Sequence, residues 1–164
     1  MKTLLYLSIP ILMSGCGKYT EEYEPYSEYQ PVLMHRSELE KSISFIDPQP
    51  LVNSGKIYIK DHLLFINELF RGVHVYDNSD PANPIALGFI TLPGNVDISV
   101  DGDIVYADNA VDLVAFTFDG NGIQVLDRNR DVFPELSPPD LSGYIPFEFT
   151  KEERPENTVI VRWE

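Results

Sequence analysis

From residue 56 to residue 127 the apolar residues recur with a period of two, and turn-forming residues break the pattern at short intervals. That combination excludes long helices and predicts antiparallel strands joined by hairpins. Ile57 and Ile59 alternate with Tyr58 and Lys60, and Asp61-His62 reads as a tight turn. Leu63-Leu64-Phe65-Ile66-Asn67 is a dense apolar strand of the kind buried on both faces. Val73 and Val75 alternate with His74 and Tyr76, and residues 77–84 (DNSDPANP) are all turn chemistry. Residues 85–92 make a fourth strand, ended by Pro93-Gly94. A second series follows. Residues 96–100 form a strand, Asp101-Gly102 a hairpin turn, residues 104–108 a dense strand, residues 111–118 the next, and Asp119-Gly120-Asn121-Gly122 turns the chain into residues 123–127.

The two series superpose at a shift of 41 residues. Ile59 falls on Val100, residues 63–67 fall on residues 104–108, and Val73 and Val75 fall on Val114 and Phe116. A repeat of about 40 residues carrying four short strands marks a β-propeller blade. The expected fold class is therefore all-β: a partial β-propeller-like array of four-stranded antiparallel blades. Gly72-Val73-His74-Val75-Tyr76-Asp77-Asn78-Ser79-Asp80-Pro81-Ala82-Asn83-Pro84 resembles the LVIVD repeat, a Gly-led strand followed by an Asp and a Ser/Asn-Asp/Asn-Pro-x-x-Pro turn. Its motif positions here are Gly72, Asp77, Asp80, Pro81 and Pro84. Residues 94–100 and 106–109 also look like LVIVD-repeat lipoproteins of Bacteroidetes-type bacteria. The resemblance covers residues 55–127 and implies a β-propeller on or near the cell surface. It supplies no catalytic motif. Phe118-Asp119-Gly120-Asn121 departs from the repeat's turn.

The amino end reads as an address. Lys2 precedes an apolar run over residues 4–13, broken only by Ser8 and Pro10, and Ser14-Gly15-Cys16 follows. Ten apolar residues are too few to cross a membrane, which takes roughly 20, so the segment is a secretion signal. The pattern resembles the bacterial lipoprotein signal, which implies cleavage after Gly15 and a lipid anchor on Cys16 of an exported, outer-membrane lipoprotein facing the periplasm or the surface. Cys16 is the single cysteine of the chain, so disulfides and multi-cysteine metal sites are excluded. Residues 17–31 hold four glutamates and four tyrosines and no aliphatic residue, the composition of a flexible tether. Over the whole chain 26 acidic residues stand against 12 basic ones, a formal charge of −14 that repels nucleic acid.

No catalytic, metal or cofactor site is expected. Asp77, Asp80, Asp97, Asp101, Asp103, Asp108, Asp112 and Asp119 could bind calcium only by converging on one point with six to eight oxygens, and each reads better as a turn former. His35, His62 and His74 share no ligand spacing and read as solvated. Tyr58, Phe116, Phe118 and Tyr106 read as packed between blades, while Tyr76 and Trp163 stay open to sugar stacking. Ser37-Glu38-Leu39-Glu40 fits a capping box before a short helix over residues 38–42.

The expected organisation is a signal peptide (1–15), an acidic tether (16–31), a transitional segment with a short helix (32–55), a first repeat (56–94), a second (95–133), and an extension (134–164) that ends in a strand at residues 158–163. The stretch from residue 56 onward holds two repeats and a fraction, whereas closed propellers use about four to eight. A ring completed by self-association through unpaired edge strands and a small open meander both fit, but a truncated or partial propeller is the leading expectation. The leading expectation is a lipid-anchored, non-enzymatic scaffold or binding protein with a protein or glycan partner. The alternative is an exported polysaccharide-binding or glycan-processing subunit using carboxylates at the propeller mouth.

Overall fold

The computed structural model describes residues 26–120 and 122–164. They form an all-β protein of three antiparallel sheets. The first sheet has the order β2-β6-β5-β4-β3, with β2 at Ser44–Ile46, β3 at Ser54–Lys60, β4 at Leu63–Glu68, β5 at Gly72–Asp77 and β6 at Ile85–Thr91. The second has the order β10-β9-β8-β7, with β7 at Ile98–Asp101, β8 at Ile104–Asn109, β9 at Asp112–Phe118 and β10 at Ile123–Asn129. The third pairs β1 (Pro31–His35) with β11 (Thr158–Trp163), the two ends of the described chain. Hairpin turns make consecutive strands neighbours from β3 to β6 and from β7 to β10, as the period of two with interspersed turns dictates, while β2 pairs with β6.

Alternation sorts each strand onto two faces. In the first sheet Tyr58, Phe65 and Val75 lie in one cross-strand row, Tyr58 opposite Phe65 and Phe65 opposite Val75. In the second, Val100, Val105 and Phe116 lie in one cross-strand row. These two rows pack together, with Val73, Ile90, Leu92, Ala107 and Val114, as the main core. The Tyr58 hydroxyl donates to the Val100 carbonyl at 3.0 Å, and Phe118 meets Phe45 edge-on at 4.9 Å.

The 41-residue shift survives in β3–β4 against β7–β8: Ile57, Ile59, Leu64 and Ile66 fall on Ile98, Val100, Val105 and Ala107. Beyond β8 it is corrected. Glu68 pairs with Gly72 across three residues, but Asn109 pairs with Asp112 across two. The shorter turn reduces the shift to 40, so the counterparts of Val73 and Val75 are Leu113 and Ala115, on the opposite face from Val114 and Phe116. A one-residue slip exchanges the faces of a strand.

Gly72 sits at φ +146°, where a Cβ would lie 2.0 Å from the Ile90 carbonyl oxygen. The site therefore needs glycine both for backbone conformation and for the approach of β6. Gly72→Ala should lower unfolding free energy by at least about 2 kcal/mol, measured by urea denaturation; an unchanged midpoint would contradict the close approach.

The amino-terminal half of the body differs from expectation. The helix, α1, spans Arg36–Leu39 and starts before the expected capping box. His35 is its N-cap, its Nδ1 accepting the Ser37 N–H at 3.3 Å. Pairing with β11 fixes the chain up to His35, so the helix begins directly after the strand. Strands β1 and β2 lie inside what reads as tether end and transition, and β2 covers Gly88 of β6 with the Phe45 ring. Residues 26–31, the described part of the expected tether, lie along the body. Ser27 is buried and donates to Asp140 at 2.8 Å, and Gln30 exchanges two backbone hydrogen bonds with Glu164. A second small core of Leu39, Ala110, Val111, Val159 and Val161 seats the β1–β11 pair at the β8–β9 turn.

Candidate interaction surface

The face of the first sheet turned away from the main core is apolar and uncovered over β3. Ile57 is 64% exposed and Ile59 61%. Leu64 and Ile66, opposite them on β4, are half-buried, as is Tyr76 on β5. Tyr58 turns inward, packed between the two large sheets as its sequence position suggests, which leaves the isoleucines outward.

Toward the other end of the same face, the loop before β3 closes over a buried pair. Glu68 and His74 are almost fully buried, and the His74 Nε2 lies 3.1 Å from Glu68 Oε2. Glu68 also accepts the backbone N–H groups of Val52 at 3.1 Å and Asn53 at 2.6 Å. Burial pushes the Glu68 carboxyl up, but those two N–H groups and the His74 ring outweigh it and hold the group below the usual carboxylate range. His74 also meets Phe89 edge-on at 4.8 Å. The solvated reading of His74 is thus corrected. Its partner Glu68 gives no signal in sequence, because the two are joined diagonally across a hairpin. Glu68→Gln should leave the His74 ring without its acceptor charge and lower stability by about 1–3 kcal/mol, read from chemical denaturation; the account would be contradicted by a stable variant with an unshifted midpoint.

The outer face of the second sheet is a trough of about 430 Å³. Its floor includes Ser99, Tyr106 and Leu113, and the segment containing Phe133, Pro134 and Leu136 walls one side. The Phe133 N–H donates to the Val111 carbonyl at 2.9 Å, and the Trp163 indole donates to the Leu136 carbonyl at 2.8 Å, so the wall is fixed to the body. Trp163 also packs edge-on against Phe149. Ser99 is exposed and Tyr106 is 37% exposed, so Tyr106 is not packed between sheets as its sequence position suggests. At the trough edge Asp108 accepts the backbone N–H groups of Val96 and Asp97, both at 2.7 Å, and the Asn95 amide at 3.0 Å. Burial raises the Asp108 carboxyl above its usual range; the Asp97 and Val96 N–H groups oppose that shift, and the nearby Asp97 charge adds to it.

The aspartates do separate jobs. Asp77 accepts the Ser79 N–H at 2.9 Å and Asp80 the Ala82 N–H at 3.1 Å, as turn formers do. Their turn residues Pro81 and Pro84 lie in the β5–β6 connection. Asp119 accepts the Gly122 N–H at 2.9 Å. Asp97 pairs with Lys56, joining the two large sheets. Asp101 and Asp103 flank Gly102, and the tight turn is Gly102-Asp103 rather than Asp101-Gly102, since Asp101 still pairs with Ile104. Asp112 is fully buried between two arginines, 2.6 Å from Arg36 and 2.7 Å from Arg128, and accepts the Asp131 N–H at 3.1 Å. Burial pushes its carboxyl up, yet the Arg36 and Arg128 bonds dominate and hold it down. Among the described residues no group of three or more His, Cys, Asp or Glu side chains could hold a metal ion.

Gly15 and Cys16, the expected cleavage flank and lipidation site, lie outside the described residues. Compared with models of known protein families, with curated proteins and with solved structures, the chain gives no significant match.

Proposed function

We propose that the chain is a lipid-anchored protein of the bacterial cell envelope whose propeller-like stack of sheets serves as a binding scaffold. The observation that carries this reading is the exposed isoleucine face of β3, since large apolar patches on a folded surface mark association sites. The repeat supports it: β3–β4 match β7–β8 at a shift of 41 residues, and the two large sheets pack face to face over one core, an arrangement that fits successive propeller blades. The amino-terminal pattern supports the anchor, because two or more acyl chains on Cys16 would hold the domain stably at a membrane. Binding through a rigid face also fits the way the buried acids are used, each satisfied by a structural partner.

Fractionation tests the reading. Expressed in a bacterium that processes lipoproteins, the chain should sediment with the outer membrane and Cys16→Ser should not. A Cys16→Ser protein that stays in the membrane fraction would defeat the anchor.

A further inference from the structure

The internal interface supplies a template for what covers the two outer faces. Within the chain, the first sheet offers Tyr58, Phe65 and Val75, and the second receives them with Val100, Val105 and Phe116. By the repeat register, the receiving residues of the second sheet, Ile98, Val100, Val105 and Ala107, have their counterparts in Ile57, Ile59, Leu64 and Ile66 of the first. There the receiving face is barer: Ile98 and Val100 are part-buried where Ile57 and Ile59 are 64% and 61% exposed, and Val105 and Ala107 are buried where Leu64 and Ile66 are only half-buried. Likewise the offering row Tyr58, Phe65 and Val75 has its counterpart in Ser99, Tyr106 and Ala115, aligned by pairing as Ser99 opposite Tyr106 and Tyr106 opposite Ala115. Ser99 and Tyr106 of that row line the trough. Among the described residues, one face of each kind is therefore unused.

We propose that copies of this chain dock head to tail, with Ile57 and Ile59 of one copy entering the Ser99–Tyr106 trough of the next. The proposal rests on the reading of the sheets as a propeller-like stack and names its partner, a second copy. The trough suits the role. It is open beside Ser99 and Tyr106, its wall is held in place, and its size admits branched side chains. A heterologous contact of this kind closes into a ring or runs on as a filament, depending on the rotation between copies. A symmetric pairing of two isoleucine faces would instead be isologous, and nothing in the repeat register favours it.

Cysteine cross-linking of the full, membrane-bound chain tests this. Ile59→Cys and Tyr106→Cys chains with different tags are co-expressed and treated with a short bismaleimide, the wild type with its single Cys16 giving the baseline. Mixed-tag adducts should exceed those of either variant alone by about tenfold, because only the heterologous contact joins the two positions. Ile57→Arg introduced into the Ile59→Cys chain should abolish the adduct while leaving the domain folded, because the residue is exposed. Adducts of Ile59→Cys with itself that match or exceed the mixed product would overturn head-to-tail docking, as would baseline yields throughout. An internal control separates this failure from failure of the stack. Lys56→Cys with Asp97→Cys in one chain should bridge internally, since those side chains pair. A bridge without mixed adducts defeats the docking alone; loss of the bridge defeats the stacked arrangement and the docking with it.

Discussion

Asp112→Ala should cost about 3–5 kcal/mol of unfolding free energy, one of the two largest losses expected of any single change. The carboxylate is fully buried and takes Arg36 on one oxygen and Arg128 on the other. Removing it leaves two largely buried guanidinium groups without their shared anion, Arg36 keeping only Asp131 and Arg128 only the Asn109 amide oxygen, so the attraction that offset their desolvation is lost. Arg36 belongs to α1 and Arg128 to β10, so the same change loosens the β1–β11 end from the second sheet. Guanidinium unfolding monitored by the single tryptophan, Trp163 of β11, reads this directly. A loss below about 1 kcal/mol, the value of an exposed pair, would show that the cluster is not buried as described.

The same residue predicts how stability responds to acid. The folded-state pKa values of Asp112 and Glu68 lie below their unfolded values. The unfolded chain therefore takes up protons first as pH falls. The stability these groups contribute is fully present above the ordinary carboxylate range, near pH 4, and drains away as pH drops through the lower folded values. Asp112→Ala should flatten the stability profile below about pH 4 relative to wild type.

Phe116→Ala is the second large loss, about 3–5 kcal/mol. Phe116 has no exposed surface and sits at the centre of the interface between the two large sheets, opposite Val105. Its removal opens a cavity that two paired sheets cannot collapse without sliding. The neighbouring Val114→Ala removes less volume and should cost less, so the order of the two midpoints is itself a check. Equal midpoints would argue that the core does not run between these rows.

Most of β3 to β10 is legible in sequence because alternation and turn residues are local signals. Asp77, Asp80, Pro81 and Pro84 mark the β5–β6 turn without any knowledge of the partner strands. What is not legible depends on distance along the chain. Residues 31–35 carry nothing that announces pairing with residues 158–163, and the strand at Pro31 begins where the composition still reads as tether. The inward turn of Tyr58 in β3 is legible, but the placement of Tyr106 is not: the same aromatic type, one blade on, lies on the outer face. The register beyond β8 is hidden because one residue fewer in a turn changes no composition yet exchanges the faces of β9. Buried charge is the hardest case. Glu68, His74, Arg36 and Asp112 look like surface residues until their partners are brought beside them.

Intact mass of the protein extracted from bacterial outer membranes tests the central claim, anchoring of this scaffold through Cys16, most directly. The account predicts a chain that begins at Cys16, lacks residues 1–15 and carries a diacylglyceryl thioether with or without an N-linked acyl chain. A chain with unmodified Cys16, or one that begins at any other residue, would contradict it.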